Sequence, residues 1–110
     1  MEKVKIEEHD NMALLRLDNQ VSNAMSTTMI ENLSAAVNLI KGKFRGLVLA
    51  GGEKFFSIGF NLPELLKLDR SGMTEFFYSF NQLVLDIYTL PIPTACAITG
   101  HAIAGGTILA

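Results

Sequence analysis

Three observations predict an α/β fold for this chain. The first residues alternate charged and apolar side chains with period two, which is the mark of a half-buried hairpin. Two short runs, Gly46–Ala50 and Thr94–Thr99, contain no charge, as strands covered on both faces do. Between and after these runs lie longer stretches whose apolar residues recur at helical spacing.

The elements follow in order. Val4 and Ile6 alternate with Lys3, Lys5 and Glu7, and Ala13, Leu15 and Leu17 repeat the alternation. The break at His9-Asp10-Asn11 makes the two segments a hairpin turning near Asp10-Asn11. Ser26 is placed to cap a helix carrying Met29, Ile30, Leu33, Val37 and Ile40 on one stripe, and Gly42 ends it. After the strand Gly46–Ala50, Gly51-Gly52 lets the chain turn, and residues 54–61 read as a loop. A short helix over 62–68 follows, with Asn61 as cap and Pro63 in its first turn. Ser71-Gly72 is expected to break it. A longer helix places Met73, Phe76, Phe77, Phe80, Leu83, Val84 and Ile87 on one side, and Pro91 ends it. The strand 94–99 turns at Gly100, and Gly105-Gly106 opens a last apolar helix. The predicted order is β-β-α-β-α-α-β-α, within one domain or a piece of one.

Composition narrows the function. The chain has 110 residues, 49% of them hydrophobic, which supplies a core. A net charge of −2 with 18% charged residues gives no electrostatic grip on nucleic acid. The single cysteine, Cys96, excludes an internal disulfide and a multi-cysteine metal site, and its apolar surroundings make it a buried structural thiol. The N-terminus lacks the apolar core of a signal peptide, so a cytoplasmic location is expected. Residues 87–110 carry no Asp, Glu, Lys or Arg, but Pro91 and Pro93 would break a spanning helix near its start. No membrane association is expected.

Two segments carry chemistry. Lys54–Glu64 and Pro93–Gly106 both run from an apolar stretch through glycine into a helix start. Such turns leave backbone N–H groups available to an anionic oxygen, and glycine lets a ligand approach the backbone closely. The same pattern serves plain tight turns. Neither a G-x-G-x-x-G nor a G-x-x-x-x-G-K-[ST] signature is present, so both phosphate-loop readings fail.

Taken together, the segments resemble the crotonase (enoyl-CoA hydratase/isomerase) family. Residues 54–64 look like its F-(S/A)-x-G-x-D-(L/I) motif, with Asn61 where Asp is usual. Residues 91–106 are similar to its P-x-x-A-x-x-G-x-(A)-x-G-G-G motif, with Ala104 in place of the first glycine. Val21–Met25 resembles its early N-A-(L/M) element. The three motifs occur in the family's order and span essentially the whole chain. The resemblance implies that residues 1–110 are the N-terminal half of a crotonase-like ββα spiral. It implies an oxyanion hole made by the backbone N–H groups of Phe60 and Gly105, holding the carbonyl of an acyl-CoA thioester. It further implies CoA or substrate contacts from Ser22, Asn23, Ala24, Ser57, Gly59, Asn61, Leu62 and Pro63. No metal or cofactor is implied beyond the CoA of the substrate, and the implied assembly is a homotrimer or dimer of trimers.

One departure directs the chemistry. Family hydratases carry a glutamate three residues beyond the oxyanion glycine, and that position here is Ile108. Isoleucine can neither position water nor move its proton. Double-bond isomerases of the family resemble this chain better, with their one carboxylate supplied further along. A CoA-thioester hydrolase, a hydratase-like enzyme and a non-catalytic acyl-CoA binder are the rivals. Of the remaining residues, His101 reads as a hydrogen-bonded histidine in a buried turn, His9 as solvated, and Glu64 as complementing a helix dipole. Asp69-Arg70 reads as a solvated helix end. Phe76, Phe77, Tyr78 and Phe80 read as helix packing, although in this family the corresponding region can border the acyl pocket.

Overall fold

The computed structural model describes residues 2–110. Strands β1 (Val4–His9) and β2 (Met12–Leu17) form the expected antiparallel hairpin, in a register that pairs Val4 with Leu17 and His9 with Met12. Asp10 and Asn11 both have positive φ, at 51° and 67°, which a two-residue turn between twisted strands requires. Ala13, Leu15 and Leu17 all point into the core.

Helix α1 (Thr27–Ile40) carries the chain back so that β3 (Gly46–Ala50) lies parallel to β2. Ser26 caps α1 by accepting the Met29 N–H at 3.1 Å. Gly42 follows the last turn with φ 82°, the left-handed geometry that ends helices. The buried stripe of α1 is Met29, Ile30, Leu33, Ala36, Val37 and Ile40, and α1 packs against β1 and α3. Each such large side chain contributes roughly 1.5–3 kcal/mol by leaving water.

Downstream, the structure corrects five expectations. Residues 54–61 are not wholly loop: β4 (Phe55–Ser57) pairs in parallel with β6 (His101–Ala102) as a second, two-stranded sheet. Helix α2 is only Leu62–Leu65, because Lys67 and Leu68 donate to carbonyls three residues back and tighten its end. The helix boundary then falls at Asp69 rather than Ser71-Gly72. Asp69 is no mere solvated end; its Oδ1 accepts the Gly72 N–H at 2.7 Å and caps α3 (Arg70–Tyr88). Strand β5 (Thr94–Ala97) lies at the edge of the sheet ordered β1-β2-β3-β5, and Thr94 and Ala95 are exposed, so it is not covered on both faces.

Helix α4 (Gly105–Leu109) buries Leu109 and exposes Ile108. Cys96 is half-buried, and desolvation pushes its thiol pKa up from the ordinary value. Among the described residues no helix is long and apolar enough to cross a membrane.

Candidate active site

The site is built where β4, the loop before α1 and the start of α4 meet. Its central residue is Phe60. Met25 and Phe60 form an isolated parallel bridge, in which the Met25 N–H donates to the Gly59 carbonyl (2.7 Å) and the Asn61 N–H donates to the Met25 carbonyl (3.0 Å). In a parallel bridge of this kind the central residue's own N–H faces away from the partner strand. The neighbouring amides are all engaged: Ile58 N–H bonds the Ser22 carbonyl, and Gly59 N–H bonds Ser57 Oγ. Among the described residues the Phe60 N–H has no hydrogen-bond partner.

The Gly105 N–H is in the same condition. It is the first of α4, where helix geometry leaves donors unsatisfied, and it too has no partner among the described residues. The two turns touch. A Cβ added to Gly59, which has φ 101°, would lie 3.1 Å from Gly105 N, and one added to Gly105 would lie 3.1 Å from Phe60 Cε1. At Gly59 the positive φ and the nearby backbone call for glycine, whereas a side chain at Gly105 would press on the Met25 methyl and the Phe60 ring. The arrangement can stabilise negative charge developing on an oxygen.

The other predicted residues divide into two groups. Ser22, Ala24, Asn61, Leu62 and Pro63 line an open groove of about 670 Å³ together with Phe60. Asn23 and Ser57 do not face that groove. Asn23 is 2% exposed, and its Nδ2 donates to the carbonyls of Phe55 and Phe56 at 3.2 Å each. Its Oδ1 accepts the Asn19 N–H at 2.8 Å. Ser57 is fully buried, and its hydroxyl donates to the Asn23 carbonyl (2.8 Å) while accepting from Gly59 N–H. These two side chains tie the loop before α1 to β4 and fix Gly59; they hold the site from behind. Asn61 accepts the Glu64 N–H at 3.3 Å, the cap expected of it.

Glu64 has a role that its helix position did not suggest. Its Oε1 accepts the Thr27 N–H at 2.8 Å, so it caps α1 from α2. The Asn61-x-x-Glu64 spacing is that of a capping box, in which the glutamate returns to the cap's own N–H. Here that N–H already serves Met25, and the carboxylate is released to the neighbouring helix. His101 is also corrected. It is exposed on β6, with its ring 5.7 Å from that of Phe55, rather than enclosed in a turn.

The Phe60 ring sits among the phenylalanines of α3. Its centroid lies 5.0 Å from Phe76, 5.5 Å from Phe77 and 4.8 Å from Phe80, all edge-on. Phe76 and Phe80 are buried.

The enoyl-CoA hydratase/isomerase family model matches residues 7–110. The chain belongs to this family. It is 31% identical over 109 residues to the peroxisomal enoyl-CoA delta isomerase 1 of Arabidopsis thaliana, covering 96% of this chain and 45% of that protein. It is 34% identical over 106 residues to a putative enoyl-CoA hydratase/isomerase of Bacillus subtilis, covering 93% and 41%. An enoyl-CoA isomerase structure from Mycobacterium tuberculosis superposes with TM-score 0.88 at 29% identity, covering 98% and 47%. A Geobacillus kaustophilus enoyl-CoA hydratase structure, at 22% identity, shares the fold with TM-score 0.95 over all of this chain and 43% of its own length. This crotonase-family chain thus spans less than half the length of these relatives, and it corresponds to their N-terminal portion.

Proposed function

We propose that the protein is an enoyl-CoA isomerase, moving a double bond from the 3 to the 2 position of an acyl-CoA thioester. The carrying observation is the pair of N–H groups on Phe60 and Gly105 that have no partner among the described residues, set on two turns that touch. A base removes a proton from C2, and the electron pair moves onto the thioester oxygen. The two N–H groups stabilise that oxyanion, and return of the proton to C4 completes the shift. Losing one such donor typically costs about 10²–10³ in rate. The reaction transfers no electrons to an acceptor and needs no metal or redox cofactor.

Isomerisation is favoured over hydration by Ile108, which is 62% exposed on α4 at the position where family hydratases carry a glutamate. The groove beside Ser22, Ala24, Asn61, Leu62 and Pro63 takes the CoA portion in this reading. The proton carrier is a carboxylate beyond residue 110, as the family resemblance implies. Assembly as a trimer or dimer of trimers rests on the same resemblance. Relatives named hydratases keep hydration as a second reading.

The test uses the intact protein and a 3-enoyl-CoA, following the ultraviolet absorbance of the conjugated 2-enoyl-CoA. Appearance of conjugation, with no hydration of a 2-enoyl-CoA control, is the expected result. Binding of CoA esters without turnover of either would overturn it.

A further inference from the structure

We propose that Phe76 and Phe80 of α3 are positioning residues for the oxyanion hole, acting through the ring of Phe60. The inference rests on the isomerase reading and concerns how the two donors keep their spacing. A backbone N–H is usually fixed by the ladder it belongs to. The Phe60 N–H belongs to none, since it faces away from Met25 in their parallel bridge.

The hydrogen bonds of Gly59 and Asn61 to Met25 fix the backbone on either side of residue 60, and its side chain adds a further hold. That ring touches both halves of the site. It is attached to one donor residue, and it lies against the other, for a Cβ on Gly105 would come within 3.1 Å of Cε1 and 3.3 Å of Cδ1. One side chain therefore bears on the spacing of two amides that come from segments 45 residues apart in sequence, Phe60 and Gly105.

The ring itself is held by α3. Phe76, Phe77 and Phe80 meet it at interplanar angles of 87°, 84° and 88°. Edge-on contacts from several directions oppose sliding and tilting of the ring, because each neighbour prefers a particular face-to-edge geometry. Phe76 and Phe77 also meet edge-on, 5.8 Å apart, so they reinforce one another. Phe77 is 42% exposed, and the buried pair Phe76 and Phe80 does most of the holding. None of these α3 side chains supplies a hydrogen bond or a charge. Their effect is on geometry, to which catalysis is steeply sensitive: a misplacement of about 1 Å can cost about 10²-fold.

The experiment compares the intact wild-type protein with Phe60→Ala, Phe76→Leu and Phe80→Leu. Each keeps both backbone donors. Turnover of a 3-enoyl-CoA is measured alongside the ultraviolet signature of bound acetoacetyl-CoA, whose enolate reports directly on oxyanion stabilisation. The expected result is a kcat lower by about 10–100-fold in Phe60→Ala and about 3–10-fold in the leucine variants, with KM within about threefold. The pH at which bound acetoacetyl-CoA ionises should rise in the same order, while binding of a saturated acyl-CoA is unchanged in Phe76→Leu and Phe80→Leu. The leucine variants nearly conserve volume and carry the test should Phe60→Ala fail to fold. If the wild-type protein neither moves the double bond nor ionises acetoacetyl-CoA, the isomerase reading falls and the brace with it. Wild-type activity that survives undiminished in the leucine variants overturns the brace alone.

Discussion

The turn at residues 57–61 is tied down by side chains, whereas the turn at 102–106 is shaped mainly by how closely it approaches its neighbours. In the first, Ser57, Asn23 and Asn61 supply hydrogen bonds, and Glu64 joins α2 to α1. In the second, the residue before α4 is Ala104, which makes no side-chain cap; among the described residues the one side-chain bond is Thr107 Oγ1 donating to the Ala102 carbonyl at 2.7 Å. Each turn nevertheless holds a backbone N–H with no partner among the described residues, that of Phe60 in the first and that of Gly105, beside Ala104, in the second. The difference teaches where each is vulnerable. A turn held by polar side chains fails when atoms are deleted, and a turn held by close approach fails when atoms are added.

Addition should give the largest effect. A Cβ at Gly106 would drive into the Ser57 carbonyl oxygen and lie 2.9 Å from its carbon. The obstacle is backbone on β4 and cannot swing aside. Gly106→Ala is expected to cost about 3 kcal/mol, at the upper end for overpacking, and to separate the two turns. Denaturant unfolding of the intact protein measures it, as a lower midpoint at constant slope. A loss below about 1 kcal/mol would show that the turns are not pressed together.

Deletion comes next. Ser57→Ala removes one hydroxyl and leaves two buried groups, the Gly59 N–H and the Asn23 carbonyl, without partners. The expected cost is about 1–3 kcal/mol. Turnover should fall as well, because Gly59 would no longer be pinned at the φ of 101° that swings the Phe60 N–H clear. A variant as stable as the wild type would mean that the Asn23–Ser57 network does not hold this turn.

These two turns also show how far the sequence could be read. The hairpin, the caps at Ser26 and Asn61 and the boundaries of α1 were legible, because each depends on residues a few positions apart. The pairing of β4 with β6 was not: strands of three and two residues carry no alternation, and their partners lie more than 40 residues apart. The motif resemblance picked out Phe60 and Gly105, and it collected Ser57 and Asn23 along with the groove residues. It could not tell which side chains face the groove and which turn inward. That depends on φ: Asn23, at φ 50°, directs its amide back onto β4 only because the loop is left-handed there. The Ser71-Gly72 break was misplaced for a related reason. Small residues look like helix breakers, yet here they occupy the first turn of α3 and Asp69 caps them.

The smallest effect expected is a gain. Ala104 has φ 50° and ψ −117°, a region in which a Cβ crowds the backbone, and such strain costs about 1–3 kcal/mol. Glycine would relieve it, while the greater freedom of the unfolded chain would take back about 0.4–1 kcal/mol. Ala104→Gly should therefore stabilise the intact protein by about 1 kcal/mol, read by denaturant unfolding, and the sign is the informative part. The Ala104 methyl sits 3.3 Å from where a Cβ on Gly59 would be, so it is also a spacer between the two turns. If stability rises while turnover falls, the strained methyl is retained because it holds Gly105 in place. If stability falls, contact with the first turn outweighs the strain, and the second turn is held by its neighbour even more completely than its backbone indicates.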